Sequence, residues 1–249
     1  MSRRARRWRI AGAAALGIVA LLAALLVYLG AFGGEVYDDL GPLRAQRASA
    51  PETAVVLLSG DLGFRFGLGP DVAMRLGRAG LPVTGVNSLV VFRKPHTPAQ
   101  IADFLAETMR RTLARTKAKR LVMIGQSFGA DMLHVGLARL PDDLRRRIAL
   151  VILVVPTDTV YYRISLGETY GWRRPDAMAI DTARGIDWVP LLCVQGAEEK
   201  DSLCPLLRQP NAERVALPGG HPLHRDADAV ARVLLRKIDA TLDGRRPAG

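Results

Sequence analysis

At 249 residues the chain can hold one domain of ordinary size plus an appendage. Its net charge of +11 admits nucleic-acid binding, but five of the positive charges are Arg3, Arg4, Arg6, Arg7 and Arg9, clustered ahead of an apolar run. That clustering points to a membrane, and no nucleic-acid partner is expected. Only two cysteines are present, both late, and there is no metal-binding motif, so neither a metal nor a cofactor is expected.

Ile10 to Phe32 is almost continuously apolar and uncharged. At about 1.5 Å per residue, roughly 20 such residues cross a bilayer. The arginines before it should stay in the cytoplasm, which places the rest of the chain in the periplasm as a single-pass inner-membrane protein. A cleaved signal peptide is the rival, but the run is long and no small-x-small cleavage site follows. Residues 1–9 are thus a cytoplasmic basic segment, 10–32 a signal anchor, 33–52 a polar linker broken by Gly41-Pro42, 53–243 the folded domain and 244–249 a tail.

The domain opens with Ala54-Val55-Val56-Leu57-Leu58, a run that reads as a strand buried on both faces. Ser59-Gly60-Asp61-Leu62-Gly63 is a turn. A helix is expected over Asp71–Ala79, ending at Gly80, and a strand over Pro82–Val86. An irregular stretch passes Pro95 and His96. Thr97-Pro98-Ala99-Gln100 carries the signature of a capped helix start, with Ile101, Phe104, Leu105, Thr108 and Met109 as its inner stripe. Leu121–Gly125 and Ile148–Val155 are apolar strands, with a helix to Arg139 between them. Pro156–Asp187 has no clear periodicity. Strands at Leu191–Val194 and Arg214–Leu217 precede an amphipathic helix from Asp226 to Leu242. This alternation of apolar strands and helices predicts an α/β fold with a parallel, doubly wound sheet and right-handed crossovers.

One stretch organises the domain. Arg120-Leu121-Val122-Met123-Ile124 runs straight into Gly125-Gln126-Ser127-Phe128-Gly129 and then into a helical pattern. A Gly-x-Ser-x-Gly between strand and helix is the nucleophile elbow of α/β-hydrolases. The turn is too tight for side chains two residues either side of the serine. It presents the hydroxyl at the carboxyl end of the sheet, where the new helix aims free N–H groups at developing negative charge.

A serine hydroxyl needs a base, and Leu217-Pro218-Gly219-Gly220-His221 supplies one after the last strand. The acid should come from Gln195-Gly196-Ala197-Glu198-Glu199-Lys200-Asp201, after the strand before it. Asp201 is preferred, because its relation to Pro205 resembles a Gly-x-x-Asp-x-x-x-Pro pattern; Glu198 is the runner-up and Glu199 ranks third. The order Ser127, acid, His221 is that of the hydrolase fold. The oxyanion hole should combine the backbone amides of Phe128 and of Asp61, with Leu62 as the alternative to Asp61. Among the other histidines, His134 reads as structural, His96 as a residue of the cleft mouth, and His224 as no part of a metal pair. Cys193 and Cys204 flank the acid-bearing loop in what should be an oxidising compartment, so a disulfide is expected there, against two buried thiols as the alternative.

With these residues in view, the chain resembles the VirJ/AcvB family of bacterial proteins. The matching features are Leu58-Ser59-Gly60-Asp61, Gly125-Gln126-Ser127-Phe128-Gly129-Ala130-Asp131, Cys193-Val194-Gln195-Gly196 with a following Glu and Cys204, and Gly219-Gly220-His221. The resemblance spans Ala54 to Leu242 and departs at Leu62 and Phe64, where the family has a Gly-Gly-Trp run. It implies an exported α/β-hydrolase-like protein. Some members are tied to type IV secretion and virulence, and others look like hydrolases of lysyl-phosphatidylglycerol. On that basis the expected function is a membrane-anchored serine esterase acting on an aminoacyl phospholipid, with Asp61 and Glu198 receiving the cationic headgroup. The alternative is a binding protein for secretion-system partners on a hydrolase scaffold.

Overall fold

A computed structural model describes residues 3–29, 32–42, 51–164 and 174–243. Part of the expected linker (43–50) and the tail (244–249) lie outside the described residues. The first helix, α1 (Arg3–Leu29), contains a 22-residue apolar segment, Arg7–Tyr28, none of it buried against the domain. Its length of about 33 Å at 1.5 Å per residue matches a bilayer core.

The domain is built on a seven-stranded sheet. Its strands are β1 (Tyr37–Leu40), β2 (Thr53–Leu58), β3 (Val83–Val86), β4 (Arg120–Gln126), β5 (Ile148–Val154), β8 (Leu191–Gly196) and β9 (Ala212–Leu217), in spatial order β1-β3-β2-β4-β5-β8-β9. All neighbours pair in parallel except β1, which runs antiparallel to β3 with Tyr37 opposite Val86 and Leu40 opposite Val83. The apolar runs alternate in the direction they face. Ala54, Val56, Leu58, Leu121, Met123, Val151 and Leu153 point into one core; Val55, Leu57, Val122, Ile124, Leu150 and Ile152 point into the other. A strand buried on both faces has no polar side to show, which explains its unbroken apolar sequence.

Helices α4 (Pro98–Thr116) and α5 (Phe128–Leu137) cover the first face, α2 (Leu68–Arg78) and α8 (Ala227–Asp243) the second. The capping box on α4 is formed: Gln100 N donates to Thr97 Oγ1 at 3.3 Å, and Thr97 N donates to Gln100 Oε1 at 2.9 Å. The stripe below it buries Ile101, Leu105, Thr108 and Met109 completely and Phe104 in part.

The structure departs from the sequence reading in three places. Helix α2 starts at Leu68, because Pro70 is tolerated in a first turn. The stretch before His96 contains a short helix, α3 (Ser88–Phe92), capped by Asn87, whose Oδ1 accepts from Val90 N. The segment expected to be linker contributes β1. This edge strand has one neighbour and a half-polar sequence, so it lacks the apolar signature of the inner strands. It is held through side chains instead: Tyr37 stacks on Phe104 with its hydroxyl 3.1 Å from Thr108 Oγ1, and Asp39 pairs with both Arg111 and Arg115. It also covers the β3 edge, which would otherwise present unpaired backbone groups. The aperiodic region between Pro156 and Asp187 holds the two-residue hairpin strands β6 (Thr159–Val160) and β7 (Ala177–Met178) and one turn of helix, α7 (Ile180–Ala183). A further single turn, α6 (Asp142–Arg145), precedes β5.

Cys193 in β8 and Cys204 form the expected disulfide, with Cα atoms 5.5 Å apart. Closing a loop of this size contributes about 2–4 kcal/mol. The enclosed segment is the one that carries the acidic candidates.

Candidate active site

At the carboxyl end of β4 the chain turns through Ser127 at φ 51° and ψ −126°, a conformation an L residue holds only under constraint. The constraint is visible on both sides. A Cβ on Gly125 would stand 2.5 Å from the Ala130 Cα, and one on Gly129 would stand 2.3 Å from the Ser59 carbonyl oxygen. The start of α5 is therefore pressed against β4 and against the loop after β2. Ser127 N donates to Val154 O, and Ser127 O accepts from Ala130 N, so the turn is also tied from outside and within.

Three side chains meet there. Ser127 Oγ lies 2.7 Å from His221 Nε2, and His221 Nδ1 lies 2.7 Å from Glu199 Oε1. A carboxylate only accepts, so Nδ1 carries the proton toward Glu199 and Nε2 is left with a lone pair facing the serine. The other oxygen, Glu199 Oε2, accepts from Gly196 N at 2.6 Å, and the glutamate side chain is 3% exposed. Ser127 and His221 are brought together as the sequence predicted, and the carboxylate bonded to His221 is that of Glu199, not of Asp201 or Glu198.

The reason for that correction is the path of the loop. Ala197 N and Glu198 N bond to Leu217 O and Gly219 O, and Glu199 N bonds back to Gly196 O. This tight turn points the third residue past Gly196 at the histidine loop. By Asp201 the chain has crossed to the other side, where Asp201 O accepts from Asp158 N. The signal was present in the sequence as Gly196-x-x-Glu199. Gly196 is itself required, since a Cβ there would stand 2.4 Å from Gly220 O.

The loop after β2 forms the facing wall. Ser59 is fully buried, its Oγ accepting from Ser88 N and its carbonyl from Ser88 Oγ, and Gly63 N closes a turn onto Gly60 O. That turn carries Asp61 and Leu62 along a groove that also contains Ser127 and His221. Phe128 N sits at the first position of α5, where a helix has no acceptor of its own to offer. A second cleft opens on the Phe128 side of the serine, between Asp61, Asp201 and Tyr161. Glu198 lines neither opening.

The remaining expected residues have structural roles or stand aside. Asp131 is buried and accepts from Thr157 N and Thr157 Oγ1, tying α5 to the loop after β5; burial pushes its carboxyl well above the usual range. His134 is fully buried, 2.7 Å from Thr182 Oγ1 through Nδ1, and burial drops it to about 3, so it is neutral. His96 packs edge-on against Phe92 and bonds Lys94 O, without lining either opening at the serine. His224 lies against Gly219 in a left-handed turn, Leu223–Arg225, that sends Arg225 to the groove mouth. Among the described residues no group of three His, Cys, Asp or Glu side chains could hold a metal ion.

The hydrogen bond to Glu199 raises the His221 pKa above its ordinary value, against burial that lowers it, and Glu199, Asp201 and Asp61 add charge in the same upward direction. A base must be neutral to accept the serine proton. Ester hydrolysis should therefore fall as the pH drops through this raised value. A profile of kcat/KM against pH for a neutral ester is expected to have its midpoint above the ordinary imidazole value of about 6.5. Asp201→Asn should move that midpoint down; an unchanged midpoint would remove Asp201 from the field at the histidine.

This sheet order, with a serine at the β4 turn and its partners after β8 and β9, defines the α/β-hydrolase fold. Solved structures agree. Est1E from Butyrivibrio proteoclasticus, with ferulic acid bound, is similar at a TM-score of 0.56 and 13% identity, over 81% of this chain and 94% of that one. MenH from S. aureus is similar at 0.57 and 13% identity over 84% and 100%, and an alpha-beta serine hydrolase homologue from Coxiella burnetii at 0.56 and 16% identity over 81% and 90%. Among curated proteins, none matches the sequence. The VirJ family, described as bacterial virulence protein, matches residues 52–242, and the chain belongs to that family.

Proposed function

We propose that this VirJ-family chain is a membrane-tethered periplasmic serine hydrolase that cleaves the aminoacyl ester of lysyl-phosphatidylglycerol. The observation that carries the hydrolase reading is the unbroken relay Ser127 Oγ, His221 Nε2, His221 Nδ1, Glu199 Oε1, with both contacts at 2.7 Å. Ser127 Oγ attacks the ester carbonyl as His221 takes its proton. The amides of Phe128 and Asp61 receive the oxyanion, and Glu199 stabilises the imidazolium. His221 then protonates the glycerol oxygen as its bond to the carbonyl carbon breaks, and water resolves the lysyl-serine ester by the same steps.

The substrate reading rests on the carboxylates, on the family resemblance and on the tether. With Glu199 in the relay, Asp201 and Asp61 both line the cleft that contains Ser127 and His221. A cleft for acyl chains alone would be apolar; two carboxylates suit the ammonium groups of a lysyl ester. A short tether to the bilayer raises the effective concentration of headgroups without tight binding. Purified full-length protein is expected to release lysine from lysyl-phosphatidylglycerol faster than alanine from alanyl-phosphatidylglycerol. Asp61→Asn and Asp201→Asn should each reduce that preference about tenfold, the equivalent of one lost partial charge pairing of about 1.4 kcal/mol. Cleavage of an aryl ester but of neither lipid would retain the hydrolase and discard this substrate.

A further inference from the structure

We propose that the domain edge around the Ser127 groove is a membrane-contact face, seating Leu62 and Phe66 in the surface of the bilayer that holds α1. The inference rests on reading α1 as an uncleaved anchor. Its first support is the direction in which the chain enters the sheet. β1 is antiparallel to β3, so Tyr37 lies level with Val86 at the carboxyl edge of the parallel strands, the edge that carries Ser127. Val36 O continues the pairing by accepting from Asn87 N. The anchor is therefore attached on the catalytic edge and not on the opposite one. Only eight residue steps separate Leu29 from Tyr37, a reach of at most about 28 Å.

The second support is the contact across that gap. Arg65, in the loop after β2, reaches Tyr28 O with Nη1 at 3.4 Å and lies 5.3 Å over the Tyr28 ring. The third is the composition of the rim. Leu62 and Phe66 are each 45% exposed and belong to one loop; the other exposed large apolar side chains of the described domain, Met74, Met178 and Leu206, stand singly on separate elements. Arg225 lies 5.4 Å over the Phe66 ring, and Arg65 is exposed beside it, a pairing of apolar tip and guanidinium suited to an anionic headgroup layer. The opposite edge is also basic, with Lys117, Lys119, Arg120, Arg145, Arg146 and Arg147, so charge alone does not orient the domain. The attachment point and the apolar pair do. Phe66 and Leu62 also line the groove that leads to Ser127, so a seated rim would open it directly onto the headgroups.

The test uses the full chain in vesicles of phosphatidylcholine and phosphatidylglycerol. Both native cysteines are in the disulfide, so Phe66→Cys, Leu62→Cys and, on the opposite edge, Asp143→Cys each provide one thiol for an environment-sensitive fluorophore. Flotation is measured first, then quenching by lipids bearing a nitroxide near the headgroup. The expected result is co-flotation of all three, with severalfold stronger quenching and a blue shift at 62 and 66 relative to 143. Failure to float overturns the anchor, and the contact face with it. Co-flotation with equal quenching at all three positions overturns the contact face alone.

Discussion

Ser127→Ala should reduce ester turnover by about four to six orders of magnitude while leaving the melting temperature essentially unchanged. The size of the loss follows from the relay, in which Ser127 Oγ is the hydroxyl that His221 Nε2 meets, at 2.7 Å. Stability should hold because alanine keeps the Cβ and hence the same backbone constraint at φ 51°. The bonds that tie the turn, Ser127 N to Val154 O and Ala130 N to Ser127 O, are main-chain bonds that the substitution does not touch. Turnover of an aryl ester, with thermal unfolding followed by circular dichroism, checks both halves. A folded variant with near-parental turnover would end the assignment of Ser127 as nucleophile.

Glu199→Gln is the second large effect, with an expected loss of about three to four orders of magnitude. The glutamate has two acceptor oxygens in use, one toward His221 Nδ1 and one toward Gly196 N. An amide offers one acceptor and one donor. Either Gly196 N–H or the histidine N–H must then face another N–H, and the cheaper escape is the wrong imidazole tautomer, with its proton on the nitrogen that should receive one from serine. Asp201→Asn on the same neutral ester should cost less than tenfold. The pair of measurements separates the two carboxylates: a large loss at Asp201 with a small one at Glu199 would restore the acid expected from the sequence.

That expected acid shows where sequence reading reached its limit. The elbow was legible because steric demands write themselves as residue types: Gly125 and Gly129 are glycine since Ala130 and Ser59 leave no room for anything larger. The inner strands were legible because burial on both faces removes every polar residue from the run. The choice among Glu198, Glu199 and Asp201 depends on how a five-residue loop turns, and the spacing from Gly196 to Glu199 is the single mark of that turn among three neighbouring carboxylates. Strand β1 was missed for a related reason. Its contribution comes from partners distant in sequence, Phe104, Thr108, Arg111 and Arg115, and nothing in Tyr37-Asp38-Asp39-Leu40 itself announces them.

The same strand decides how the molecule bears mechanical load. On the proposed anchoring of α1, drag on the domain relative to the membrane enters the fold at Tyr37, the end of β1 nearest the catalytic edge. A pull toward that edge runs along the strand axis, so the bonds of the β1–β3 ladder are loaded together in shear and not peeled one after another. Midway along, Asp39 is gripped by Arg111 and Arg115, both on the long helix α4, which spreads the force from four residues of strand into the body of the domain. On that proposal the short edge strand is a cleat for the tether.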